Sequence, residues 1–253
     1  MNSTLFPHPT LATPLHVLNY RESSQILTLL TREYGKISVL ARGIKPLKRK
    51  TTLQPMELLS FYEIRLRPGK ELHYLAENQM TAFFSPFRHD LARLYGGYYL
   101  LELVRTLLQE GEPATDLFDL FFKGCEKLAV SAQIKPVLLG FEFQLLKLLG
   151  FFPELQHCLL CGNNFGDWLL FSSAEGGGLC LACAREQKKM FPNQTFLKLR
   201  RKSLDAFLQI EQNILPLEAD VLQEIRKFLQ HYWSYLLEQE LKLFSYISKM
   251  KTP

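Results

Sequence analysis

No uncharged apolar run in this 253-residue chain reaches the roughly 20 residues that a membrane-spanning helix needs. The first twenty residues carry no charged side chain, yet they lack the basic start of a signal peptide, and Pro7, Pro9 and Pro14 interrupt any apolar stretch. The expectation is a soluble, cytoplasmic protein with no membrane association. Catalytic groupings are missing as well. None of the six histidines is followed two places on by an acid, and His157 and Leu179 rather than proline precede the two Cys-x-x-Cys pairs. Both facts exclude a nucleobase deaminase. No glycine loop leads into Lys-Ser/Thr, and Gly176–Gly178 opens no predicted helix. Ser23-Ser24 and Ser172-Ser173 have no nearby base. Internal repeats and low-complexity tracts are absent. The chain reads as a non-enzyme.

Cysteine is scarce but ordered. Cys158, Cys161, Cys180 and Cys183 stand as C-x2-C-x18-C-x2-C, a spacing that lets both thiolates of each pair reach one ion. The Gly176-Gly177-Gly178 run just before the second pair lets the backbone turn back to close a tetrahedron. Four sulfurs leave no open position, so the expected ion is a structural Zn2+. A thioredoxin-like pair would need one Cys-x-x-Cys after a βαβ pattern, and disulfides would suit a secreted chain; neither context is present. Cys125 lies in the apolar helical pattern around Leu120-Phe121-Phe122 and Leu128 and reads as a small buried hydrophobe.

The net charge of +5 is unevenly placed. Residues 1–80 hold 11 Lys/Arg against 6 Asp/Glu, whereas residues 81–253 hold 19 of each. Arg42, Lys45, Lys48, Arg49 and Lys50 fall within nine residues that contain no acid. Short strands surround this run. Ile37, Val39 and Ala41 alternate with polar positions, as do Leu58, Tyr62, Ile64 and Leu66, and then Leu72 and Tyr74. With strands near 14–20 and 25–33, five strands occupy under 70 residues. A small barrel removes the exposed edges, although strand count alone does not separate an oligonucleotide-binding (OB) barrel from an SH3-like one. A basic loop beside such a barrel suits nucleic acid. Phe61, Arg65 and Arg67 share the face opposite the expected core, with His73 on the equivalent face of the next strand. Ring stacking and phosphate neutralisation are therefore expected there, with packing against the helical domain the alternative for Phe61. Tyr62 and Tyr74 fall on the expected core face.

After Met80 the apolar period becomes helical. Leu91, Leu94, Tyr98, Leu101, Val104 and Leu108 define a helix over 87–109; a second starts at Thr115 or Asp116, and a third ends at Gly150 ahead of Pro153. The cysteine module occupies 154–186, and two further helices are predicted over 203–213 and 217–247. Lys198, Arg200, Arg201 and Lys202 form a second cationic cluster, which reads either as a solvated approach to a helix or as an extension of a DNA path. The expected architecture is α+β and multidomain: a barrel at 1–80, helices at 81–153 and 187–253, and the cysteine module at 154–186. A ribosome-associated or other RNA-binding protein would use similar parts.

These residues resemble the RecO family of bacterial recombination mediators. The resemblance runs through Val17–Ser24, Leu29–Lys36 and Ala41-Arg42-Gly43, then Tyr99–Leu103. It continues through Phe141-Glu142 with Leu145-Leu146, Leu149-Gly150-Phe151, Pro153, Leu155 and Cys158, and ends on Gly176–Cys180 and Cys183. It implies an OB domain, a helical domain and an inserted zinc module. It also implies binding of single-stranded and duplex DNA, strand annealing, and loading of RecA onto DNA coated by single-strand-binding protein (SSB), with RecR as partner. Some members carry basic residues before the Phe-Glu pair, where Leu139-Gly140 stands here, and Lys-Ser-Arg near Lys242-Leu243-Phe244. The expected holders of the acidic SSB tail are accordingly Arg105, Lys123, Lys127, Lys135 and Lys147.

Overall fold

Alternation of inward apolar and outward polar side chains carries the chain through five strands of the computed structural model, which describes residues 6–44, 53–210 and 217–249. They are β1 (Thr10–Tyr20), β2 (Ser24–Thr31), β3 (Gly35–Ala41), β4 (Ser60–Arg67) and β5 (His73–Phe83). Their order is β1-β2-β3-β5-β4, with β4 closing on β1 and β3 parallel to β5. That Greek-key closure is the OB barrel and not an SH3-like one. Ala12, Leu27, Leu29, Val39, Ala41, Tyr62, Ile64 and Leu66 fill its interior. The Tyr62 hydroxyl accepts from the Glu57 backbone N–H at 3.0 Å, so the one polar tip in that group is satisfied. Gly35 turns β2 into β3 at φ +63°, and a Cβ there would lie 1.7 Å from the Glu112 carbonyl oxygen. Only glycine fits that turn.

Among the described residues, eight helices follow or interleave with three short strands: α1 (Pro86–His89), α2 (Leu91–Leu107), α3 (Thr115–Val130), α4 (Ile134–Leu148), β6 (Trp168–Ser172), β7 (Gly177–Leu179), α5 (Leu181–Met190), β8 (Leu197–Arg200), α6 (Arg201–Leu208), α7 (Ala219–Leu236) and α8 (Phe244–Lys249). The chain divides into two compact units, Met1–Ser131 and Ala132–Pro253.

In the first unit, α1–α3 pack on the barrel. Asp90 caps α2 by accepting from the N–H groups of Ala92 and Arg93 at 2.9 and 3.1 Å. Arg93 in turn donates to the last carbonyls of α3, those of Leu128, Ala129 and Ser131. Arg32, just past β2, forms a fork to Asp119 of α3 at 2.8 and 2.9 Å, and the Thr115 hydroxyl donates to the Arg32 carbonyl.

The second unit places β6 between β7 and β8 in an antiparallel sheet. Phe171 of β6 meets Phe228 and Tyr232 of α7 edge-on at 4.9 and 5.1 Å. Glu142 of α4 and Arg226 of α7, both buried, pair at 2.5 Å, and the Arg226 guanidinium lies 4.2 Å from the Phe244 ring. The helix expected over 217–247 is two helices. α7 ends at Leu236, Glu238 takes φ +52°, and the chain turns so that Leu241 and Phe244 become buried. Apolar spacing continues through the turn, so no residue type announces it. Likewise, α6 ends at Leu208 rather than at 213.

Candidate metal centre and nucleic-acid interface

The four cysteines converge. The 158–162 turn is set by a bond from the Cys158 N–H to the Asn163 carbonyl and one from the Gly162 N–H to the Cys158 carbonyl, both 2.9 Å, with Gly162 at φ +72°. Cys180 caps α5, where its sulfur accepts from the Cys183 N–H. The Cys180 N–H points at the Cys158 sulfur, 3.3 Å away. Backbone bonds hold the two turns together: Leu159 N–H to Gly178 carbonyl at 3.0 Å, and Gly178 N–H to Glu154 carbonyl at 2.9 Å. Gly178 permits this approach, because a Cβ would fall 2.6 Å from the Phe165 ring. All four sulfurs lie within 4.8 Å of one another, and those of Cys161 and Cys180 are 3.9 Å apart. A tetrahedron with metal–sulfur bonds of about 2.3 Å has sulfur–sulfur edges of about 3.8 Å, so the set fits a metal ion.

The protonation chemistry agrees with that fit. Burial pushes the Cys158 thiol up, but backbone N–H donors from Cys180, Cys161 and Leu160 outweigh it and bring it down to about 6. Hydrogen bonds to Cys180 and Cys161 push the Cys183 thiol up to about 12. Four thiolates this close need a cation before all can ionise. Cys125 is fully buried, and burial raises its thiol, so it is unreactive as expected.

The basic residues fare differently. Lys45, Lys48, Arg49 and Lys50 lie outside the described residues. Arg42, Arg65 and Arg67 are exposed on the barrel. Arg65 pairs across the ladder with Glu77 at 3.4 Å, while the Arg42 guanidinium sits 5.0 Å from the Tyr74 ring centroid. Phe61 is a correction. It is 1 % exposed, held edge-on by Phe84, Phe118 and Phe122 at 5.9, 5.8 and 4.8 Å, and no base can stack on it. The outer face of β4 at that end is an interior surface, because α3 covers it. Tyr74 is the opposite correction. A register shift between Arg65 and Leu66 puts Leu75 inward and leaves Tyr74 exposed. His73 instead meets Phe6 at 4.9 Å and is half-buried.

The cluster at 198–202 is largely neutralised from within. Arg200 bonds Glu224 and Asp220, Lys202 bonds Glu218 and Asp220, and Arg201 bonds Asp205. The Lys198 ammonium lies 4.0 Å from the Trp168 ring centroid. Arg105, Lys123 and Lys127 are exposed in the first unit. Lys135 and Lys147 belong to the second, where burial and Arg226 lower the Lys135 pKa and the Lys147 ammonium sits 4.7 Å from the Phe143 ring. Three features escaped the sequence reading: the Glu142–Arg226 pair, the Arg32–Asp119 fork, and the Tyr20-Arg21 turn, where the guanidinium lies 5.2 Å from the ring. An aromatic residue followed by Arg at a strand end was the one available signal.

An OB barrel followed by helices and a four-cysteine module defines the structural class. Two family models cover nearly all of it. Recombination protein O N terminal matches residues 9–84, and Recombination protein O C terminal matches residues 88–243. The chain belongs to the recombination protein O (RecO) family. Among similar proteins, the DNA repair protein RecO of Anaeromyxobacter dehalogenans strain 2CP-C is 33 % identical over 231 residues, covering 86 % of this chain and 88 % of that one. The DNA repair protein RecO of Desulforamulus reducens strain MI-1 is 30 % identical over 235 residues, covering 91 % and 90 %. No described helix is long and apolar enough to cross a membrane.

Proposed function

We propose that this protein is a DNA repair and recombination mediator of the RecF pathway, acting in the cytoplasm in association with the nucleoid. It binds and anneals single-stranded DNA, also engages duplex DNA, and helps load RecA onto SSB-coated strands without making or breaking a bond. The carrying observation is an OB barrel with Arg42 and Arg67 exposed on its outside, in a chain of the RecO family. Barrels of this kind bind oligonucleotides through strands 2 and 3 and the flanking loops. Residues 1–80 are the DNA-binding domain in this reading, and residues 81–153 and 187–253 form the helical domain around the 154–186 module. That module holds a structural Zn2+ on Cys158, Cys161, Cys180 and Cys183; the ion would fix the two turns and carry out no reaction. RecR and the SSB tail are the protein partners. Arg105, Lys123, Lys127, Lys135 and Lys147 are the cations offered to the tail's acidic residues.

The test compares single-stranded DNA, duplex DNA and RNA at two salt concentrations. If about five phosphates are neutralised, the single-strand slope of log affinity against log salt is about −3.5. Replacing Lys48, Arg49 and Lys50 by Ala should flatten that slope for every sequence alike. Preference for RNA, or an affinity indifferent to salt, would overturn the proposal. For the tail, calorimetry with the SSB C-terminal peptide and the full chain should show binding that disappears when the peptide's acidic residues are neutralised.

A further inference from the structure

The outer face of β1-β2-β3-β5 carries a surface that the charge pattern did not reveal. Paired residues share a face, and the ladder aligns Leu18 with Ile26, Ile26 with Leu40, and Leu40 with Tyr74. This apolar row crosses four strands, or about 14 Å at the usual strand spacing. Its two ends are open: Leu18 is 50 % and Tyr74 37 % exposed. Beside it, Tyr20 pairs with Ser24 and is 38 % exposed. A polar row of His16, Thr28 and Ser38 runs along the other side.

Each exposed tyrosine carries a guanidinium on its ring, Arg21 over Tyr20 at 5.2 Å and Arg42 over Tyr74 at 5.0 Å. Elsewhere in this unit Arg32, Arg65, Arg88 and Arg93 face carboxylates. Among the described residues of this unit, Arg21, Arg42, Arg67 and Arg105 have no ion-pair partner, and of these four Arg21 and Arg42 rest on rings. Arg21 also holds φ +52°, a left-handed conformation costly for a side chain of its size, in a turn fixed by the Ile44 N–H donating to the Ser23 carbonyl at 2.8 Å. The turn thus presents Tyr20 and Arg21 beside the row that Arg42 and Tyr74 close.

We propose that this face is the base-stacking platform for a single strand, with bases on Tyr20 and Tyr74 and phosphates at Arg21 and Arg42. The assignment rests on the reading of the chain as a single-strand binder and gives that reading its residues. Aromatic rings accept any base, so the platform selects exposed bases over paired ones and not one sequence over another. Unpaired guanidinia favour a polyanion as the occupant over an apolar protein surface.

The test measures the affinity of the full-length protein for a 20-mer oligo-dT and for an abasic 20-mer of the same charge. Wild type should prefer oligo-dT. Tyr20→Leu and Tyr74→Leu should each weaken oligo-dT binding about tenfold, within the range of one stacked ring, while leaving the abasic strand and the salt slope unchanged. Tyr74→Phe should restore binding, because the ring and not the hydroxyl does the stacking. Arg42→Gln should instead lower the salt slope by about 0.7 for both strands. Both tyrosines are exposed, so the variants should melt with wild type. Oligo-dT affinity unchanged in the double Tyr→Leu variant would overturn the platform while leaving single-strand binding intact. Failure of wild type to bind either strand would instead overturn the reading on which it rests.

Discussion

Phe61 separates two accounts of the barrel most sharply. As an exposed stacking residue it would, when truncated, lose DNA affinity and leave stability alone. The structure requires the reverse. The ring is 1 % exposed and touches Phe84, Phe118 and Phe122 edge-on, with Phe121 tilted beside it at 5.8 Å. Removing a buried phenylalanine costs about 3–5 kcal/mol, from lost transfer energy and the cavity left behind. Edge-to-face pairs contribute about 0.5–1.5 kcal/mol each beyond burial, so Phe61→Leu, which restores most of the volume, should still lose about 2 kcal/mol. For a chain of this size a loss of ~4 kcal/mol lowers Tm by about 8–16 °C. Thermal and urea unfolding of wild type, Phe61→Leu and Phe61→Ala should give that graded series. Below the transition, single-strand affinity should be unchanged. An Ala variant that melts with wild type but no longer binds DNA would refute the packing account.

The cysteine module should yield about one zinc per purified chain, and Cys161→Ser or Cys180→Ser should lower its thermal stability; no zinc and four readily titrated thiols would count against it. Glu142→Gln should cost about 3–5 kcal/mol in urea unfolding, because it removes the carboxylate that faces the buried Arg226 guanidinium, and a loss below about 1 kcal/mol would refute the importance of that pair. Acid should weaken the second unit. The Arg200 and Lys202 side chains hold Asp220 below the usual carboxylate range; burial pushes Glu224 up, but Ser203 and Arg200 bring it down. Depressed folded-state values mean that the unfolded chain takes up protons first, so this stability is present above about pH 4 and is lost as pH falls below it. Arg200→Gln should flatten the dependence of the urea midpoint on pH between 7 and 3.

The barrel and the cysteine site were legible because each rests on local rules. Period-two burial fixes which residues of β2 and β3 point inward, and a two-residue gap fixes which sulfurs meet. Phe61 and Tyr74 were misassigned because neither rule covers them. Alternation gives Phe61 its side of the sheet correctly, but whether that side faces water depends on α3, more than fifty residues further along the chain. Tyr74 sits beside a one-residue shift in the β4–β5 pairing, which sets Leu75 and not Tyr74 opposite the core residue Leu66, and local alternation does not show it. The break after Leu236 escaped for a third reason. Leu241 and Phe244 keep a helical apolar period, while Glu238 takes the left-handed position that glycine usually marks.

Charge was the least legible quantity, since a count of Lys and Arg measures supply and not availability. The 198–202 segment holds four cations in five residues, yet Asp205, Glu218, Asp220 and Glu224 reach three of them. Its positive charge is neutralised at the surface, and the pairs made by Arg200 and Lys202 fasten β8 and α6 to the start of α7. In the barrel, Arg65 is answered by Glu77 in the same way. What distinguishes Arg21 and Arg42 from the arginines held by carboxylates is that each rests on a ring, whatever the density of charge around it in sequence. A guanidinium on a ring keeps its charge and its outward N–H donors, and phosphate can add to that arrangement without displacing an acid. A cation already paired must first surrender its carboxylate, and exchange of one anion for another contributes little net affinity. On this reasoning the DNA path we propose would run over the β1-β2-β3-β5 face and would gain little from the 198–202 segment, whatever the number of lysines and arginines found there.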